Sequence, residues 1–261
     1  MLPIKKLYID SRFKSSDSMS DSDMKIDLPM SLTFPEDSVF YVDDICIPVS
    51  WYVVDENRNN KFYFKIGSVS YVKTIPEGNY STTTLNAKLV EIMNTTNGSS
   101  VFLSTANLPT NTIGISTSSG LVYRILTDNE AMAADFALPL QSINSYLNNT
   151  TPKENRNISP YVSGYVNLNP VRNIYITSGN LGSYDTLSVS GDRGVIKKVP
   201  VRANYNEMIY DDAVLGIDYL DCSRQSLSRL EFQLKDAYGN FINLHGNHWS
   251  CSLVFAKMKE D

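Results

Sequence analysis

Histidine, tryptophan and cysteine are scarce in this 261-residue chain, at two, two and three copies. Each scarcity removes a class of function. With only His245 and His248, imidazole acid–base chemistry has little to draw on, and no Gly-x-Ser-x-Gly elbow presents a serine. Cys46, Cys222 and Cys251 are too few and too scattered for a disulfide framework. An odd number of thiols fits folding in a reducing compartment, so cytosolic synthesis is expected. Basic excess is missing too: 23 Lys and Arg against 28 Asp and Glu give a formal net charge of −5. A chain built to hold nucleic acid usually carries a basic balance or a basic face. No window approaches the roughly 18 apolar residues of a membrane span. The start, Met1-Leu2-Pro3-Ile4-Lys5-Lys6, lacks the apolar run of a signal peptide. Asn-x-Ser/Thr matches at Asn79, Asn94, Asn97, Asn149 and Asn157 therefore reflect composition rather than glycosylation.

What is present is β patterning. Hydrophobic residues make up 42% and charged ones 20%, enough to bury a core. The length suits one large all-β domain with decoration, or two small domains. Sixteen tyrosines and ten phenylalanines suit strands and contact surfaces. The clearest stretch lies near the end. Leu230, Phe232 and Leu234 alternate with Arg229, Glu231, Gln233 and Lys235, and Asp236-Ala237-Tyr238-Gly239-Asn240 supplies turn residues. Beyond it Trp249, Cys251, Leu253 and Phe255 again recur every second residue. Period 2 means one buried and one wet face, so these read as two strands around a glycine turn, in an antiparallel sheet closing a β-sandwich.

Upstream, strands are expected over 39–47, 51–54 and 61–66, the last with Phe62, Phe64 and Ile66 in a row. A helix is expected over 82–94, because Leu85, Leu89, Ile92 and Met93 fall on one face, with a Ser or Thr at 81–83 as N-cap. A short strand at 101–105 follows, then a hairpin of 112–116 and 121–126 around Ser118-Ser119-Gly120. This block reads as a small α+β module, 71–159, inserted in a β protein. A helical turn is expected over 130–136, a loop over 148–160, and strands over 174–177, 186–189, 194–201 and 207–210. Short strands separated by turns point to a sandwich or barrel. Residues 1–30 read as an N-terminal arm, Ser/Asp-rich from 14 to 27. Its Lys5, Lys6, Arg12, Lys14 and Lys25 balance Asp10, Asp17, Asp21, Asp23 and Asp27. Tyr8-Ile9-Asp10 in it could add a strand to a neighbouring edge.

Several constellations could carry chemistry. His245, His248 and Cys251 invite a metal. However, His248 and Cys251 lie three apart in a strand and so on opposite faces, which favours a polar turn beside a buried cysteine. Asp43/Asp44, Asp211/Asp212 and Asp218/Asp221 could serve acid–base work or bind calcium, or could cap strand ends. Gly191-Asp192-Arg193-Gly194 with Lys197-Lys198 faintly suggests anion binding, but it lacks the phosphate-loop pattern, so a β-turn with a solvated basic edge is expected. Tyr63 and Tyr175 read either as contact surface or as the wet side of half-buried strands. No catalytic residue, metal ligand or cofactor is assigned.

Taken in order, Leu7-Tyr8-Ile9-Asp10-Ser11-Arg12-Phe13, Tyr41-Val42-Asp43-Asp44-Ile45-Cys46-Ile47-Pro48 and Ile75-Pro76-Glu77-Gly78-Asn79-Tyr80-Ser81 resemble one family. Arg229-Leu230-Glu231-Phe232, Asp236-Ala237-Tyr238-Gly239-Asn240 and Leu244-His245-Gly246-Asn247-His248-Trp249-Ser250 continue the likeness. The family is the minor capsid (penton) proteins of virophages and Polinton-type elements. The resemblance implies a mainly β protein: a single jelly-roll β-sandwich over 31–70 and 160–261 with the insertion between strands. It also implies no active site and a homopentamer at the fivefold vertices of a small double-stranded DNA virus, beside that virus's major capsid protein. Direct nucleic-acid binding and a membrane span are not expected. A virion attachment or receptor-binding β-sandwich is the alternative. In a ring the N-terminal arm could reach an adjoining subunit, or stay disordered until it meets another shell protein.

Overall fold

A computed structural model describes residues 2–56, 58–107, 109–134, 142–148, 153–156, 159–181, 194–214 and 218–258. In chain order its elements are β1 (Leu2–Asp10), β2 (Asp23–Thr33), β3 (Ser38–Pro48), β4 (Lys61–Ile66), β5 (Val69–Thr74), α1 (Thr82–Asn97), β6 (Phe102–Asn107), β7 (Thr112–Thr117) and β8 (Tyr123–Ile125). Then come α2 (Asp128–Ala133), α3 (Ile143–Tyr146), β9 (Tyr161–Val162), β10 (Asn173–Thr177), β11 (Val195–Pro200), β12 (Met208–Asp211), β13 (Leu220–Asp221), β14 (Ser226–Lys235) and β15 (Ser250–Lys257). They form two compact units, residues 1–51 with 171–261, and residues 52–170.

The first unit is a sandwich of two antiparallel sheets. One runs β1-β15-β3-β12, with β13 also paired to β3; the other runs β2-β14-β10-β11. Numbered along this unit alone and leaving out β13, the strand orders are 1-8-3-6 and 2-7-4-5, two four-stranded sheets of a jelly roll. Alternation builds the core between them. Leu230, Phe232 and Leu234 of β14 face inward from one sheet, and Cys251, Leu253 and Phe255 of β15 from the other. Phe232 meets Trp249 edge-on with ring centroids 6.2 Å apart, and Phe255 stacks on Phe34 at 4.5 Å. Both tryptophans, Trp51 and Trp249, are buried in this core.

The two C-terminal strands are therefore not partners in one sheet, as their spacing had suggested. β14 pairs with β10 and β2, whereas β15 pairs with β1 and β3. The connection over 236–249 is long enough to cross between sheets, and it drops Ile242 and Leu244 into the core on the way. Period 2 fixes which face is buried; it does not name the neighbouring strand.

Nor do residues 1–30 form a free arm. β1 pairs along its length with β15, setting Leu7 opposite Leu253 and Ile9 opposite Cys251. β2 pairs with β14, setting Met24 opposite Phe232 and Ile26 opposite Leu230. The polar stretch between is pinned by Lys14–Asp21 (2.8 Å), Arg229–Asp17 (2.7 Å) and Arg229–Asp27 (2.6 Å). The indole of Trp249 donates to the Asp21 carbonyl at 2.7 Å. Its Ser and Asp residues make a turn and the wet side of a strand, while Met24 is fully buried.

The second unit holds two three-stranded antiparallel sheets, β5-β4-β8 and β6-β7-β9, with α1. The helix begins at the Ser81–Thr84 capping box and stops at Gly98, whose φ of 75° suits glycine. Leu85, Leu89 and Met93 bury their face among Phe62, Phe64, Ile113 and Ile115. Asn86 joins them because its amide donates to the carbonyls of Thr105 (2.7 Å) and Gly114 (3.2 Å). Gly114 lets β6 close beside β7, since a Cβ there would collide with the Thr105 hydroxyl. Because β4 packs here, the unit starts at residue 52 rather than 71, and it ends at 170 rather than 159. The expected 51–54 strand is instead the crossing point. Trp51 sits in the first core, and Val54 only bridges Gly78. The 112–126 hairpin also dissolves: β7 pairs with β6 and β9, and β8 pairs with β4. The helical turn starts at Asp128, two residues before the 130 expected, because Thr127 and Glu130 make a capping box, and residues 135–136 of the expected span lie outside the described residues. The expected 186–189 strand and Gly191 to Arg193 lie outside the described residues.

Candidate functional site

The residues with chemical potential do not converge. His248 is exposed, and its Nδ1 lies 3.0 Å from Asp21 Oδ1 and 3.3 Å from Ser11 Oγ. Both contacts use the same ring nitrogen, so Ser11, His248 and Asp21 cannot relay a proton as a triad does through two. Partial burial opposes the charge of Asp21, but Lys14 and then His248 outweigh it and hold the carboxyl below its usual range. Cys251 points into the core beside Leu253, and burial pushes its thiol well up. Cys222, also buried, is pushed to about 12, so neither supplies a thiolate near neutrality. Among the described residues no three His, Cys, Asp or Glu side chains gather to hold a metal.

The acidic pairs separate likewise. Asp43 binds Lys6 at 2.5 Å, with Asp44 3.6 Å from the same ammonium. Asp221 accepts from the backbone and hydroxyl of Ser223, which lower its pKa. Asp211 lies 3.7 Å from Lys197, and that ammonium donates to the Ala213 carbonyl at 2.8 Å. Tyr63 is neither contact surface nor wet: it is fully buried against Leu126 and Ala131, and Asn144 bonds its backbone. Tyr175 is half-buried.

Surface features missed by sequence reasoning lie at the two flanks of the jelly roll. On one flank the edge strands are β1 and β2, joined by residues 11–22; on the other they are β12 and β11. The first flank exposes Tyr8 (80%), Phe13 (76%) and Met19 (83%). The second holds a cleft of about 370 Å³ lined by Val42, Ile196, Lys197, Pro200, Arg202 and Tyr210 among others. Beside it Tyr210 is 76% exposed and Met208 also stands out, while Ile209 between them is buried. The signal was available in β12, where the larger apolar residues take the outward positions and a lone isoleucine the inward one. Exposed apolar side chains clustered at an edge that pairs with no further strand among the described residues are a surface suited to a partner, since covering them removes apolar area from water.

The molecule is thus a mainly β protein: a jelly-roll β-sandwich carrying an α+β unit between its third and fourth strands. Its fold is that of a penton protein. The chain matches the crystal structure of selenomethionine-labelled mavirus penton protein with a TM-score of 0.51, over 97% of this chain and 100% of that one, at 11% identity. No family model matches the chain. No curated protein matches it in sequence. Among the described residues no helix is long and apolar enough to cross a membrane.

Proposed function

We propose that the chain is a structural minor capsid (penton) protein, forming pentamers at the fivefold vertices of a small double-stranded DNA virus. The observation that carries this reading is the extent of the likeness. It takes in both units of this chain and the whole of mavirus penton protein. The acids tied in separate ion pairs and turns and the buried thiols support a role in assembly rather than catalysis. On this reading the partners are further copies of the chain and the major capsid protein of the same virus. The protein is made in the host cytoplasm and resides in the virion, with no direct contact to nucleic acid.

Size-exclusion chromatography with light scattering tests the reading. A particle of five copies is expected, with a fivefold ring in negative-stain electron microscopy. A stable trimer would instead indicate an attachment or receptor-binding module. A chain that stays monomeric at every concentration would end the penton reading.

A further inference from the structure

We infer that copies of this chain join through opposite flanks of the jelly roll, the β12 edge of one copy lying against the β1 edge of the next. This rests on the ring-forming reading above and specifies its contact. A closed ring needs two different patches on each subunit, meeting head to tail. β1 and β12 meet that need, because β1 ends the sheet on one side and β12 on the other, where β13 continues along β3, and among the described residues neither β1 nor β12 pairs with a further strand. Every pairing across that sheet is antiparallel. Over four strands the directions therefore alternate, so the β12 of a second copy in the same orientation arrives antiparallel to β1. No inversion of the copy is required.

The side chains agree with this pairing. Tyr8 and Phe13 stand out on the β1 flank; Tyr210 and Met208 stand beside the cleft on the β12 flank. The cleft can take an aromatic side chain from the opposing flank. On the two edge strands themselves the charge differs in sign. β1 itself carries Lys5 and Lys6 against Asp10, and the following residues 11–22 are balanced, with Arg12 and Lys14 against Asp17 and Asp21. Residues 205–212 carry Glu207, Asp211 and Asp212 and no base, with Lys197, Lys198 and Arg202 in the cleft beside them. Several of these are tied within the chain: Lys6 to Asp43, Arg12 to Asp10, and Asp211 lies near Lys197. On the edge strands this leaves Lys5 on β1 and Glu207 with Asp212 beside β12, with Lys198 and Arg202 across the cleft.

Tyr8→Asp and Tyr210→Asp in the full-length chain test the contact, with light scattering as the readout. Each variant alone should raise the concentration for half-assembly by roughly tenfold or more, the scale of losing one aromatic anchor. Mixed in equal amounts, the two should form a dimer and no ring. The intact β12 flank of Tyr8→Asp can engage the intact β1 flank of Tyr210→Asp, and each then presents only a spoiled flank. A charge pair gives a second, milder check: Lys5→Glu should weaken assembly, and Glu207→Lys in the same chain should restore it. Melting temperatures of Tyr8→Asp, Tyr210→Asp and Lys5→Glu should stay near the parent value, since those side chains are exposed, while Glu207→Lys also gives up the bonds its carboxylate accepts from Asn204. If the parent forms five-copy rings and these variants assemble as it does, the flank assignment is overturned and the ring survives. If both weaken assembly but the mixture gives no dimer, the contact is not head to tail through these edges. A parent that never associates would overturn both readings.

Discussion

Phe232→Ala should destabilise the jelly-roll unit by about 3–5 kcal/mol. Phe232 lies on β14, an inner strand, and is fully buried between Leu230 and Leu234 with Trp249 edge-on at 6.2 Å. Burying a phenylalanine removes roughly 150–250 Å² from water. At about 25 cal/mol per Å² that is roughly 4–6 kcal/mol, an upper figure because the unfolded chain is already partly compact. Alanine keeps part of this transfer term, while the cavity left against a rigid indole adds to the loss. The strands on both sides of β14 limit collapse into the gap. Tryptophan fluorescence during urea unfolding is a clean assay, because both tryptophans of the chain, Trp51 and Trp249, belong to this unit. The fluorescence transition should move to lower urea, while changes confined to the tyrosine-bearing second unit should not. A loss under about 1 kcal/mol, well below the large-to-small range, would mean that β14 does not face β15 across the core.

Removing residues 1–27 should abolish soluble folded protein, because it strips β1 from β15 and the Met24–Phe232 and Ile26–Leu230 pairings from β14; a truncated chain with the parent's melting temperature would refute the pairing. Excising 52–170 with a short linker should leave the tryptophan-reported transition in place, whereas excising only 71–159 strands β4 with Phe62 and Phe64 uncovered and should give aggregated protein. Equal behaviour of the two deletions would refute the division at residue 52. Asn144→Leu should destabilise the second unit by about 2–4 kcal/mol, since the side chain bonds Tyr63 N (2.9 Å), Tyr63 O (2.7 Å) and the Leu126 carbonyl (2.6 Å) in a buried site. Faster backbone amide exchange around Tyr63 and Leu126 is the measurement, and unchanged exchange would count against it.

Local spacing was enough to tell which residues lie inside. Leu230, Phe232, Leu234, Trp249, Cys251, Leu253 and Phe255 were legible from period 2, and the helix over Leu85, Leu89 and Met93 from period 3.6, because a side chain's direction is set within a turn or two of backbone. His248 outside and Cys251 inside followed from the same register. Partners were not legible. A strand's pattern records that one face is apolar, but any apolar face satisfies it equally, so β14 and β15 looked like neighbours when they oppose each other across the core. The Ser/Asp-rich stretch before β2 looked free because its anchors, Arg229 and the Trp249 indole, lie some two hundred residues away. The second unit's limits depended likewise on which core Phe62 and Phe64 enter, and local spacing does not carry that. The flanks bearing Tyr8 and Tyr210 are likewise products of strand order. Only when β1 and β12 take the two ends of one sheet do two distant segments become the two complementary edges of a single subunit.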